Sequence, residues 1–171
     1  MISQKFIILD RDGVINADSD DYIKSADEWE AIPRSVDAIK KLSDNNFQVI
    51  IISNQSGIER GLISPLDFIQ INIKMISAID RAGGSISAIL YCPSLPTSID
   101  PNRKPSPGMF IDIASRMNIK LSNCYAIGDC TSTNFPKTAQ VAYQQGKYLA
   151  GQFNSNFEKK NTRCNKILWK M

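Results

Sequence analysis

Residues 47–53 read Phe-Gln-Val-Ile-Ile-Ile-Ser, with four β-branched apolar residues in succession from Val49 to Ile52. Successive side chains of a strand point to opposite faces, so a run without alternation is buried on both. β-branched residues suit a strand, and a strand apolar on both faces belongs inside a parallel sheet with a helix layer on each side. Three further runs fit the same role: "FIILD" (6–10), "ISAILYC" (86–92) and "NCYAIGD" (123–129). Parallel strands need crossovers, and the intervening segments supply them. "PRSVDAIKKLSDNN" opens on proline and places Val36, Ile39 and Leu42 at helical spacing. "PLDFIQINIKMISAIDRAGG" is a helix stopped by Gly83 and Gly84, and "GMFIDIASRMN" is another. Strand–helix alternation of this kind predicts an α/β chain: a three-layer α/β/α, Rossmann-like fold around a central parallel sheet.

The polar residues cluster where those strands end. Asp10 and Asp12, Ser53 and Asn54, and Asp129 each fall just past the C-terminal end of a predicted strand. In an open parallel sheet those ends converge on one crevice, where ligands bind. Arg103 and Lys104 lie in the Pro-rich loop "PSLPTSIDPNRKPSP", able to swing over the same edge. Carboxylates so close together repel unless something positive lies between them. A hard divalent cation with oxygen ligands, Mg²⁺, would relieve that repulsion and hold a phosphate. Asp10 could then attack phosphorus to form an aspartyl-phosphate, and Asp12 could protonate the leaving oxygen. Lys104 would neutralise charge on the transferring phosphoryl group. Each feature alone has a plainer reading: a loop-capping acid pair, the polar turn "SNQSG", a solvated surface lysine. Their common placement at strand ends favours a site.

Composition removes other chemistries. The chain of 171 residues has no histidine, which excludes imidazole general bases, Ser-His-Asp triads and imidazole zinc sites. Cys92, Cys124, Cys130 and Cys164 form no CxxC pair and no disulfide-like spacing, so a reducing, cytoplasmic setting is expected. No leader-like or membrane-length apolar run is present, and a net charge of +3 is weak attraction for nucleic acid or a membrane surface.

The segments "LDRDG", "IISNQSGIERG", "RKPSPGMF" and "YAIGD" resemble the four motifs of the haloacid dehalogenase superfamily of phosphohydrolases, and more narrowly its histidinol-phosphatase and heptose-bisphosphate phosphatase branch. The resemblance covers residues 5 to 129. It implies a cytoplasmic, Mg²⁺-dependent phosphomonoester hydrolase of carbohydrate metabolism. Such an enzyme acts as a monomer on a small phosphorylated sugar, without nucleic-acid or membrane partners. By the same resemblance Asp10 is the nucleophile and Asp12 the general acid/base. Ser53 binds phosphoryl oxygens with Asn54 and Gln55 nearby in the same loop, Lys104 orients the phosphate and Asp10, and Arg103 helps hold the sugar or a second phosphate. Magnesium is held by the Asp10 carboxylate, the Asp12 main-chain carbonyl and Asp129.

The sequence departs from that branch in two places. Its members often carry a zinc loop of three cysteines and one histidine between "YCP" and "RKP". Here "YCPSLPTSIDPN" retains Cys92 alone, with Ser94 at the histidine position, so no zinc is expected. The family also places an acid a few residues after "GD", whereas this chain has Ser132, Thr133 and Asn134 and no carboxylate until Glu158. Weak turnover is therefore expected. Residues 123–153 instead resemble a flavin-binding segment of type II NADH dehydrogenases, but no G-x-G-x-x-G follows any predicted strand. The expected division is a phosphatase domain over 1–135 and an atypical helical tail over 136–171. Two alternatives remain open at this point: a catalytically impaired binding domain, and a nucleic-acid 3′-phosphatase, whose family also carries D-x-D-G.

Overall fold

A computed structural model describes residues 5–130. Strand β1 (Lys5–Leu9) leads to helix α1 (Ser35–Asp44), β2 (Phe47–Asn54), α2 (Pro65–Arg81), β3 (Ala88–Cys92), α3 (Gly108–Met117), a short 3₁₀ turn (Leu121–Asn123) and β4 (Cys124–Ile127). The four strands are parallel in the order β3-β2-β1-β4. This is the α/β architecture expected from the apolar runs. The tail expected over 136–171 lies outside the described residues.

The unbroken apolar strands divide their side chains between two cores. Ile7, Leu9, Val49 and Ile51 face α1 and α2, meeting Ile39, Phe68, Ile71, Met75 and Ile79. Phe6, Ile8, Ile50 and Ile52 face the other way, toward Met109, Phe110 and Ile113 of α3. Val49 through Ile52 have no exposed surface, so β2 is the centre of both cores. Burial on both faces fixes the register, since a slip by one residue would exchange the two sets.

Helix ends follow local chemistry. Ser64 caps α2 by accepting the Asp67 N–H, and Pro65 occupies the first turn. Gly83, at φ +84, ends that helix and directs the chain to β3. Helix α1 starts later than the proline suggested. Arg34 takes a left-handed conformation, so helical geometry begins at Ser35, whose hydroxyl donates to the Ile15 carbonyl. Among the described residues no helix is long and apolar enough to cross a membrane.

Candidate active site

Asp10 lies one residue past β1. Leu9 pairs with Ile51 on one side and Ile127 on the other, and the Asp10 N–H still donates to the Ile127 carbonyl at 3.2 Å. Beyond Ile127 the chain turns at Gly128, φ +92. A Cβ there would stand 2.7 Å from the Asp10 Cβ and 2.9 Å from Val14 Cγ2, so only glycine permits this approach. The turn sets Asp129 beside Asp10. Between them stands Lys104, a buried lysine whose Nζ is 2.9 Å from Asp10 Oδ1, pairs with Asp129 Oδ1 and donates to the Ile52 carbonyl at 2.7 Å. The Cys130 sulfur touches the same ammonium at 3.7 Å.

The electrostatics are those of an under-compensated acid pair. Burial pushes the Asp10 carboxyl up to about 8, with the Lys104 charge pulling down and Asp129 pushing further up. Burial alone would discharge Lys104, but Asp10, Cys130 and Asp129 together hold its pKa above the ordinary lysine range. One ammonium thus serves two carboxylates.

Asp12 is held differently. Its Oδ1 accepts from Arg11 Nε at 3.0 Å and Asn16 Nδ2 at 2.9 Å, and its Oδ2 from Arg11 Nη2 at 3.1 Å and Gln55 Nε2 at 2.8 Å. Gln55 reaches it from the end of β2, where its Nε2 also donates to the Ser53 hydroxyl at 2.8 Å. Asn54 forms a reciprocal pair with the Lys104 main chain, accepting its N–H at 3.0 Å and donating to its carbonyl at 3.1 Å. The carboxamide expected near phosphate therefore braces the lysine.

A cleft of about 220 Å³ opens over these groups, lined by Asp10, Asp12, Ser53, Asn54, Gln55 and Asp129 among others. Lys104 lies beneath it. Arg103 is turned away, donating to the Ser94 carbonyl at 2.6 Å. Cys92, at the end of β3, donates its thiol to Asp100, which also accepts from the Ser94 hydroxyl. Asp18, Ser19 and Tyr22, which also line the cleft, were not among the residues expected there. They arrive there because Ile23 and Trp29 of the β1–α1 connection are buried in the α1/α2 core. That loop has no period to read; isolated, buried apolar residues within it were the available signal.

The donor set suits a hard cation. Among the described residues no three Cys, Asp or Glu side chains form a cage by themselves. The expected set is instead the two carboxylates of Asp10 and Asp129 with the Asp12 carbonyl, all oxygen donors, which is the preference of Mg²⁺. The raised Asp10 carboxyl marks a spot where further positive charge is favourable.

A family model described as polynucleotide kinase 3 phosphatase matches residues 5–163. The D-glycero-beta-D-manno-heptose-1,7-bisphosphate 7-phosphatase of Bordetella bronchiseptica is 46% identical over 125 residues, 73% of this chain and 70% of the relative. Its namesake from Pseudomonas aeruginosa is 41% identical over 128 residues, 75% of this chain and 72% of the relative. A crystal structure of D,D-heptose 1,7-bisphosphate phosphatase from B. bronchiseptica, complexed with magnesium and phosphate, superposes with a TM-score of 0.73 at 36% identity. It covers 84% of this chain and 99% of that one. Fold and relatives define a phosphatase of the haloacid dehalogenase type. Within that class the chain belongs to the polynucleotide kinase 3 phosphatase family.

Proposed function

We infer that the protein hydrolyses a phosphomonoester of a small sugar, of the heptose bisphosphate kind, through an aspartyl-phosphate on Asp10. The observation that carries this reading is the Lys104 ammonium 2.9 Å from a buried strand-end carboxylate that lines a cleft. The relatives' names supply the sugar.

In this reading an Asp10 oxygen forms a bond to phosphorus as the bond to the sugar oxygen breaks, and Asp12 gives that oxygen a proton. Water then attacks the same phosphorus, passing a proton to Asp12. The acyl-phosphate P–O bond breaks, releasing inorganic phosphate and restoring the Asp10 carboxylate. Ser53 has a hydroxyl hydrogen to offer a phosphoryl oxygen, and Lys104 holds the Asp10 carboxylate. Asp10, Asp129 and the Asp12 carbonyl would hold Mg²⁺. When bound, the cation would offset charge on the transferring phosphoryl group. Arg103 would reach the sugar or a second phosphate only by leaving Ser94.

A second reading, a nucleic-acid 3′-phosphatase, is favoured by the description of the family model. Against it stands the cleft wall, where the carboxylates of Asp10, Asp12, Asp18 and Asp129 meet Arg11 and the Lys104 beneath, both cations already paired with these acids. A polyanionic backbone gains little there.

The deciding experiment compares phosphate release from sugar bisphosphates and from 3′-phosphorylated oligonucleotides, each with Mg²⁺ and after chelation. Mg²⁺-dependent release from the sugars supports the first reading. Preference for the oligonucleotide overturns it. Elemental analysis of protein purified without chelator should find no stoichiometric zinc; near one zinc per chain would refute that expectation.

A further inference from the structure

Arg11 stands between the two motif acids and has no part in the reaction as written, yet it is only 2% exposed. A buried guanidinium is costly unless it is paired. Its pair is Asp12, met fork to fork by Nε at 3.0 Å and Nη2 at 3.1 Å. Adjacent residues of an extended strand point to opposite faces. Here the chain has left β1 at Leu9, and the Arg11 carbonyl accepts from the N–H groups of Val14, Ile15 and Asn16. That turn brings the two neighbouring side chains together. Meanwhile Arg11 Nη1 is buried without a hydrogen-bond partner. The guanidinium is thus placed to suit the carboxylate rather than to satisfy its own donors.

The other two donors to Asp12 are shared. Asn16 Nδ2 also donates to the Ala17 carbonyl at 2.8 Å, and Gln55 Nε2 also donates to Ser53 Oγ. Neither neutral amide spans both oxygens of the carboxylate. We propose that Arg11 is a positioning residue that fixes the orientation of the Asp12 carboxylate for proton transfer. The inference rests on the reading of Asp12 as the acid that protonates the leaving oxygen.

The test measures kcat/KM at saturating Mg²⁺ over aryl phosphates of increasing leaving-group basicity, from 4-nitrophenyl phosphate to phenyl phosphate. A nitrophenolate needs little protonation and a phenolate needs much. Arg11→Met should therefore lose about tenfold or more additional rate on the poor leaving group, within the range of a general acid's contribution. Arg11→Lys keeps the charge but not the fork, and should fall between Arg11→Met and wild type. An equal loss across the series in Arg11→Met overturns the proposal, because a purely structural residue would slow every substrate alike. Should Arg11→Met fail to fold, Arg11→Lys decides: a steeper dependence than wild type supports the proposal, and an unchanged one overturns it. Asp12→Asn, run beside them, separates the two levels. If it steepens the dependence and the Arg11 variants do not, only the role of Arg11 falls. If Asp12→Asn leaves the dependence unchanged, Asp12 is not the acid and both fall.

Discussion

Asp10 is buried against one ammonium group that it shares with Asp129 and accepts one main-chain N–H, from Arg11 at 2.8 Å, whereas Asp12, two residues on, has a side chain 25% exposed and four hydrogen bonds to its oxygens. In sequence the two acids look alike. Their surroundings make them opposites. Burial works against the charge of Asp10 and one lysine opposes it, so this carboxylate gains by sharing its charge with an electrophile or a cation. Around Asp12, donors from two loops hold both oxygens and so fix the orientation of the carboxylate, which suits a group that must pass a proton along a defined line. In the proposed mechanism, Asp10 would thus be a nucleophile with little charge compensation and Asp12 a proton carrier held in place.

The largest test of this contrast is Asp10→Asn. The amide keeps the shape of the side chain but is a very poor nucleophile, so turnover should vanish even for activated aryl phosphates while the fold persists. Circular dichroism and phosphate release measured on the same preparation check both halves. Substantial turnover by the folded variant would remove Asp10 from the role of nucleophile.

Lys104→Met comes next. It leaves Asp10 and Asp129 facing each other without their common partner, and breaking a buried ion pair on one side costs roughly 3–5 kcal/mol of stability. Activity should fall by about 10²–10³-fold, as when a preorganised donor to a developing charge is lost. Thermal melts and steady-state kinetics measure the two effects. A variant as stable as wild type would mean that the ammonium is not what holds these acids together.

A smaller effect is expected beside Asp129. The acid usually found a few residues later is replaced by Ser132, Thr133 and Asn134, which lie outside the described residues. Loss of such an outer partner costs about 10–100-fold in metal affinity or activity. Thr133→Asp should accordingly lower the Mg²⁺ concentration for half-maximal rate. Wild-type saturation at low Mg²⁺, unchanged by the substitution, would show that the missing carboxylate is immaterial.

What the sequence revealed and what it hid divide along physical lines. The strands were legible because Val49 to Ile52 are buried on both faces, a condition that leaves its mark on every residue. The placement of Asp10, Ser53 and Asp129 at the cleft was legible because each lies at a strand's end: Asp10 next after β1, Ser53 one residue before the end of β2, and Asp129 after the glycine that follows β4. The Arg11–Asp12 pair was not, since it depends on the turn closed by the Arg11 carbonyl after β1 has ended. Nor was the cleft wall of Asp18, Ser19 and Tyr22, which is set by where Ile23 and Trp29 find the core. Residue type alone also misleads within a motif. Asn54 and Gln55 are both carboxamides, yet one braces the Lys104 main chain and the other Asp12.

Asn54→Ala is the finest test, because it asks whether that bracing is the residue's purpose. The side chain contributes two hydrogen bonds to Lys104, each worth about 0.5–1.5 kcal/mol. Losing them loosens the segment carrying the lysine without touching either acid. Small misplacements of a catalytic group cost up to about 10²-fold, and a flexible lysine still held by Asp10, Asp129 and the Ile52 carbonyl should cost several-fold at most. If Asn54 acts only through Lys104, kcat should fall while inhibition by inorganic phosphate stays near the wild-type level. If it touches phosphate directly, as its motif suggested, phosphate inhibition should weaken in step with KM. Asn54→Asp sharpens the distinction. It retains the acceptor for the Lys104 N–H, loses the donor to its carbonyl, and adds a negative charge at the cleft. A bracing residue would then recover part of the lost kcat, whereas a phosphate ligand would bind phosphate worse than the alanine variant does.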